Sequence, residues 1–268
     1  MTDISVVIPT YNREKYIKKS IDSVIAQTGQ GEAYNITEII VIDDGSSDNT
    51  ESVVRSVGDE RVRYHRMEQN SGAGAARNKG VQMARSEWIA FQDSDDVWHP
   101  DKLLKQTEYI LADKDVCLVS HQIRAITADN EDIITPIPSG DDRVATLAGR
   151  NYIGTPTMLV RKDAFDECNG FDVRLSALED WDFALRFADR FRIGMVNEPL
   201  IDVDMVLEGI SADASKYYDS RCKMISWNKE ILLKHGCFNE AVESLLTHAK
   251  ENQVLDSVGK MLELYLQG

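Results

Sequence analysis

Strand-like and helix-like runs alternate through the first third of the chain, and few architectures accept that order. "ISVVIP" (4–9), "ITEIIVID" (36–43), "RVRYH" (61–65) and "EWIAFQ" (87–92) are short and β-prone, while "REKYIKKSIDSVIAQ", "NTESVVRSV" and "GAGAARNKGVQMA" between them place apolar residues at helical spacing. The alternation predicts βαβ units, hence an α/β fold with a mostly parallel sheet and helices on both faces. Ligands of such sheets bind in the loops beyond the carboxyl ends of the strands. Three of those loops are chemically unusual: "PTYN", "DDGSSDNT" and "DSDD". Parallel strands bring all three to one edge.

From about residue 113 the pattern changes to "DVCLVSHQIRAI", "TPTMLVR" and "FRIGMV", interrupted by the turn-rich "TPIPSGDDR", which is expected to be a mobile loop. This predicts a mixed-sheet second half of the same domain. Beyond about 212 the chain reads as helical. Val242, Leu245, Leu246 and Ala249, then Leu255, Val258, Met261, Leu262 and Tyr265, form an apolar stripe that something must cover. The expected division is one domain over 1–212, made of a first half (1–96) and a second half (97–212), and a helical extension over 213–268. A length of 268 residues suits one large domain, or one domain with an appendage.

Composition removes several functions. With 45 Asp and Glu against 30 Lys and Arg, the net charge of −15 disfavours a nucleic-acid surface, which needs clustered cations. Cys117, Cys168, Cys222 and Cys237 show no CxxC spacing, so neither a zinc site nor a disulfide framework is expected, and a reducing, cytoplasmic compartment is the default. No run approaches the roughly 20 apolar residues that a membrane span requires.

Within the acidic loops, "FQDSDD" sets Asp93, Asp95 and Asp96 directly after "WIAF". Asp-x-Asp alone is poor evidence, because the spacing recurs at Asp113/Asp115, Asp180/Asp182 and Asp202/Asp204. The strand before and the helix-like "HPDKLLKQTEYILA" after distinguish Asp93 and Asp95: carboxylates at a strand's carboxyl end hold a hard cation and leave positions for substrate phosphates. Asp43 and Asp44 close another apolar strand at the same edge and can accept hydrogen bonds from a base or a ribose. Ser46 to Thr50 read as a turn and helix cap. Arg77, in the weak glycine signal "SGAGAARN", is within reach of a phosphate or is a surface cation. The "EDWD" acids suit the first turn of a helix, where they meet its dipole. His99 and His121 are read as structural.

Taken in order, "VVIPTYNREKYIKKSIDSVIAQT", "EIIVIDDGSSDNT", "NSGAGAARNKGVQMARSEWIAFQDSDDVWHPDKL" and "ALEDWDFALR" resemble the family 2 glycosyltransferases of GT-A fold, over residues 4 to about 205. The resemblance implies that Thr10, Tyr11 and Asp44, assisted by Asp43, hold the nucleotide base. It implies that Arg77 serves the donor and that Asp93 and Asp95 bind a divalent cation, Mn²⁺ or Mg²⁺, with Asp95 the direct ligand. It makes Asp180 the catalytic base, with Glu179 on the acceptor side. The expected reaction is inverting transfer from a nucleotide sugar, UDP-linked as a first guess, to a hydroxyl of a glycan or lipid-linked acceptor in bacterial surface polysaccharide or glycoconjugate synthesis. The expected location is the cytoplasm, with peripheral attachment to the inner face of the plasma membrane and homodimerisation both open. Two rivals stand beside it: a sugar-phosphate nucleotidyltransferase, which would want glycines in "PTYNREKY", and a catalytically silent nucleotide-sugar-binding module.

Overall fold

The computed structural model describes residues 1–126, 132–136, 142–204 and 213–267. Most of the loop expected to be mobile, 137–141 within "TPIPSGDDR", lies outside the described residues.

One nine-stranded sheet organises the chain. Its first half is the predicted parallel array: β1 (Thr2–Thr10), β2 (Tyr34–Asp43), β3 (Val62–Arg66) and β4 (Trp88–Phe91), in the order β3-β2-β1-β4. The intervening helices are α1 (Ile17–Ile25), α2 (Thr50–Arg55) and α3 (Ala73–Met83). β1 and β4 are almost uninterrupted apolar runs because both faces of the sheet are covered. Successive residues accordingly join opposite cores. Val7, Ile40, Ile42, Ile89 and Phe91 pack on the α3 side, and Val6, Ile8, Ile39, Val41 and Ala90 pack on the side of α1 and α2.

The second half is mixed. After β5 (Val97–Trp98) and α4 (Lys102–Ala112) come β6 (Val116–Ile126), β7 (Asp132–Ile134), α5 (Arg143–Gly149), β8 (Leu159–Arg161), α6 (Lys162–Glu167), α7 (Glu179–Ala188) and β9 (Arg192–Asp204). β8 joins β4 and β6 antiparallel, β9 lies parallel to β6, and β5 caps the edge antiparallel to β9. β5, β7 and the short helices α5 and α6 carry too few residues to show a period in sequence. β5 in particular exists only because Val97 and Trp98 meet Asp202 and Ile201 across the sheet.

The C-terminal run forms α8 (Ala214–Trp227), α9 (Lys229–Lys234), α10 (Phe238–Glu251) and α11 (Leu255–Gln267). Its apolar stripe is covered from within: Leu245, Ala249, Val258 and Leu262 are buried in the same core as Leu147, Phe183 and Phe187. Leu255 stays exposed at the start of its helix. Among the described residues no helix is long and apolar enough to cross a membrane.

Candidate active site

The three unusual loops do converge. Thr10 pairs with Asp43, and Asp43 with Arg66, in the last rungs of three parallel strands, so the carboxyl ends of β1, β2 and β3 are level. β4 ends beside them at Phe91, and Gln92 donates its main-chain N–H to Val7 before the chain turns into Asp93. The Asp93 carbonyl then accepts the Ser20 hydroxyl of α1 at 2.9 Å, which pins the acidic loop from below.

At the β2 end both aspartates are buried and already engaged. Asp43 accepts the Ser46 N–H at 2.7 Å and the Tyr64 hydroxyl. Asp44 accepts the N–H groups of Ser71 and Gly72 at 2.8 and 2.7 Å, and so holds the loop that feeds α3. Burial raises the Asp44 pKa, and Asp43 adds to the rise against those two amides. Gly72 has φ +89°, a left-handed conformation that a side chain would strain. The Thr10 hydroxyl is buried without a hydrogen-bond partner, and Tyr11 is 47% exposed at the rim. Asp48 precedes Asn49, the N-cap of α2, and accepts from the Thr50 N–H and hydroxyl at 3.0 and 2.6 Å.

α3 carries Arg77 into the centre. The helix approaches β1 closely because Gly80 has no side chain: a Cβ there would lie 2.2 Å from Val7 Cγ1. Arg77 is buried, and its guanidinium donates to Asp93 Oδ1 and to Glu179 Oε1, each at 2.7 Å. Burial by itself would lower the Arg77 pKa, but the two carboxylates overcome it and hold the pKa above its ordinary value. Arg77 Nε is buried without an acceptor.

Beside the acidic loop stands a residue that sequence reasoning passed over. Arg13, just beyond β1, lies 3.3 Å from Asp95. The only available signal was its position in the loop after "PTYN", where an arginine is otherwise an ordinary helix-start residue. The Asp95 pKa is raised by burial and then by Asp93, with Arg13 opposing. Asp96, deeper still, is raised by burial and then by Asp93 and Asp95, with Arg77 opposing. Among the described residues no three His, Cys, Asp or Glu side chains gather as a protein-only metal cage. Asp93 and Asp95 instead offer hard carboxylate oxygens on one loop, the donor set that suits Mg²⁺ or Mn²⁺ sharing its sphere with phosphate oxygens and water. Asp93 commits one oxygen to Arg77 and Asp95 one to Arg13. A cation therefore fits this loop.

His99 and His121 stay apart from that set. His99 Nε2 is 2.8 Å from Asp202, which also takes a two-pronged contact from Arg124. His121 is fully buried, with Nδ1 on the Gln122 carbonyl.

Opposite the acidic loop stands the first turn of α7. Leu178, at its N-cap, has φ +63°, a strained conformation for a branched side chain. Asp180, on that turn, accepts from the Trp181 N–H at 2.7 Å, the Thr155 N–H at 3.3 Å and the Asn151 amide at 3.3 Å. Burial, then Glu179, pushes its pKa up to about 7, with Arg77 opposing. Five phenylalanines fix the spacing of the two sides. Phe91, which leads into the acidic loop, and Phe183 of α7 are joined through Phe165 and Phe171 by ring contacts of 4.9–5.8 Å, and Phe187 extends the stack.

A Rossmann-like sheet joined to a mixed half, with an Asp-x-Asp loop and a raised carboxylate facing each other, defines a glycosyltransferase of GT-A type. The chain belongs to glycosyltransferase family 2: the family model "Glycosyl transferase family 2" matches residues 5–168. An uncharacterised glycosyltransferase of Methanocaldococcus jannaschii is 30% identical over 206 residues, covering 74% of this chain and 69% of that one. TuaG of Bacillus subtilis, named for teichuronic acid biosynthesis, is 39% identical over 110 residues, covering 40% of this chain and 42% of its own length. The match thus spans under half the length of that relative. Among solved structures, S. aureus TarS 1-349 in complex with UDP-GlcNAc superposes with TM-score 0.68 at 18% identity, covering 99% of this chain and 92% of the other. The mannosyltransferase PcManGT from Pyrobaculum calidifontis, in complex with GDP-Man and Mn²⁺, superposes with TM-score 0.65 at 18% identity, covering 98% and 80%. At such identities the likeness is one of fold.

Proposed function

We propose that this glycosyltransferase moves a sugar from a nucleotide sugar, UDP-linked in the first instance, to a hydroxyl of a glycan or lipid-linked acceptor, with inversion at the anomeric carbon. The observation that carries this is the Arg77 guanidinium shared by Asp93 and Glu179, which ties a cation-competent loop to a turn bearing a carboxylate raised to about 7. Residues 1–96 form the donor half and 97–212 the acceptor half, and the extension over 213–268 completes their common core.

Asp180 takes the proton of the acceptor hydroxyl as that oxygen attacks the anomeric carbon, and a base with a pKa near the working pH suits the step. One displacement breaks the bond to the nucleoside diphosphate on the opposite face and inverts the centre. Thr10, Tyr11 and Asp44, with Asp43 behind them, shape the base and ribose subsite, and the unpartnered Thr10 hydroxyl supports a donor contact there. Asp95, with Asp93, would hold Mn²⁺ or Mg²⁺, which when bound neutralises the departing diphosphate. Arg77 keeps Asp93 aimed at the donor and Glu179 aimed at the acceptor side, next to Asp180.

The ligands named for TarS and PcManGT support a nucleotide-sugar donor and a divalent ion, and the name of TuaG supports surface polysaccharide synthesis. Four free, buried cysteines are consistent with a cytoplasmic location. Hydrolysis of UDP-glucose, UDP-N-acetylglucosamine, dTDP-glucose and GDP-mannose by the purified chain, with Mn²⁺ and with a chelator, tests the proposal. Release of nucleoside diphosphate only with the ion supports it. Tight UDP binding with no turnover of any donor or acceptor mixture would leave the silent binding module in its place.

A further inference from the structure

We propose that α8, in the C-terminal extension, is a brace for the catalytic turn, with Ser220, Arg221 and Asn228 acting as positioning residues for Asp180. The inference rests on Asp180 being the base.

The turn from Ala177 to Asp182 is gripped from α8 at three points. The Ala177 N–H donates to Ser220 Oγ at 3.2 Å. The Arg221 guanidinium lies over the Trp181 ring, 3.8 Å from its centroid. The Asn228 side chain, at the end of α8, donates to Asp182 Oδ1 at 2.7 Å and to the Met224 carbonyl at 2.9 Å. Between the first two contacts sits Leu178 with its positive φ, and between Leu178 and Trp181 sit Glu179 and Asp180. A residue held in that region is strained and persists only where the surroundings over-determine it. Here α8 supplies the surroundings.

Arg221 is the unusual member. It is 1% exposed, and its guanidinium meets the Trp181 ring, the Ala148 carbonyl and the Met224 sulfur, with no carboxylate at ion-pair distance among the described residues. Burial lowers its pKa to about 10, which still leaves it charged at neutral pH. A buried cation without a counter-charge is a poor way to gain stability, and apolar replacement of buried charges is often neutral or stabilising. What the guanidinium does provide is geometry. It clamps Trp181, whose Nε1 donates to the Leu147 carbonyl at 2.7 Å, so the residue next to Asp180 is fixed on both its ring face and its edge. Misplacing a catalytic group by about 1 Å costs on the order of 10²-fold in rate.

The test is a double-mutant cycle in the full-length protein. Arg221→Met keeps volume and loses the planar cation, and Arg221→Lys keeps only the charge. Both are expected to lower kcat for nucleotide-sugar hydrolysis by about tenfold or more while UDP affinity with Mn²⁺ stays within about twofold. Added to Asp180→Asn, Arg221→Met should cause no further loss, because the brace acts through a carboxylate no longer present. Hydrogen exchange needs no donor: amides of 177–182 should exchange about tenfold faster in Arg221→Met while β1 is unchanged. An equal loss of kcat with and without Asp180, or exchange at 177–182 that is unchanged or accelerates together with β1, overturns the brace. Failure of Asp180→Asn alone to slow the reaction would instead remove the base, a separate outcome.

Discussion

Arg77 on α3 and Glu179 on α7 are 102 residues apart in sequence and 2.7 Å apart in space. Because Arg77 also holds Asp93 at 2.7 Å, one guanidinium joins the cation loop to the turn that carries Asp180. The side chain is 8% exposed, and the two carboxylates are 27% and 18% exposed, so each partner depends on the other for its solvation.

Replacing Arg77 therefore strands two acids. Arg77→Met should destabilise the protein by about 3–5 kcal/mol, the cost of breaking a buried pair by removing one partner. Urea denaturation measures it. A loss below about 1 kcal/mol, the scale of a surface pair, would show that Asp93 and Glu179 are solvated independently of Arg77.

Asp95→Ala should abolish metal-dependent UDP binding while leaving the fold intact, since Asp95 lies in a loop and pairs with Arg13 at its edge. Titration calorimetry with UDP, with Mn²⁺ and with chelator, reads both effects. Equal affinity under all conditions would remove the cation from the loop.

For Asp180 the expected signs are opposite for rate and stability. Asp180→Asn should lower turnover by about 10²-fold or more, the scale of a lost general base. Because burial first, and then Glu179, raise its pKa, the folded state favours the protonated form, and ionising it costs stability as pH rises from the ordinary carboxylate range through about 7. The neutral amide escapes that cost. The variant should match or exceed the wild-type melting temperature at pH 8 and lose that advantage at pH 5, while wild-type kcat/KM rises with pH through the same region.

His235 supplies a second pH dependence of the same sign, at a higher pH. It sits 2.9 Å from Asp142 at the start of α5 and 2.9 Å from Asp189 at the end of α7, and hydrogen bonding to Asp142, against a smaller burial effect, raises its pKa, with Asp189 adding. Its contribution is fully present below the unfolded value of about 6.5 and is lost as pH rises through the higher folded value. His235→Asn should lower the melting temperature more at pH 6 than at pH 9. A constant difference would mean that the two ion pairs contribute nothing through the charge.

Removal of residues 213–268 takes Leu245, Ala249, Val258 and Leu262 out of the core they share with Leu147, Phe183 and Phe187. A chain ending at residue 212 should aggregate or self-associate, because it exposes a contiguous apolar face. Light scattering decides it, and a monodisperse, unchanged UDP-binding monomer would make the extension an independent appendage.

What the residues determined alone is the part with a period. β1 to β4, the helices between them and the convergence of "PTYN", "DDGSSDNT" and "DSDD" follow from apolar runs long enough to be buried on both faces and from the rule that parallel strands end at one edge. The helical tail and its stripe were legible for the same reason. Tertiary structure decided the rest, because it concerns pairs far apart in sequence. β5 is two residues long and exists by meeting β9, Arg13 is an ordinary loop cation until Asp95 is beside it, and Asp44 is a base-binding candidate whose carboxylate is also spent on the Ser71 and Gly72 amides. The left-handed Leu178, and the α8 side chains closed over it, lie further still from any local signal. Local patterns report which face of an element is buried. Which groups then share a desolvated space, and so shift one another's charge, is set only when the elements pack.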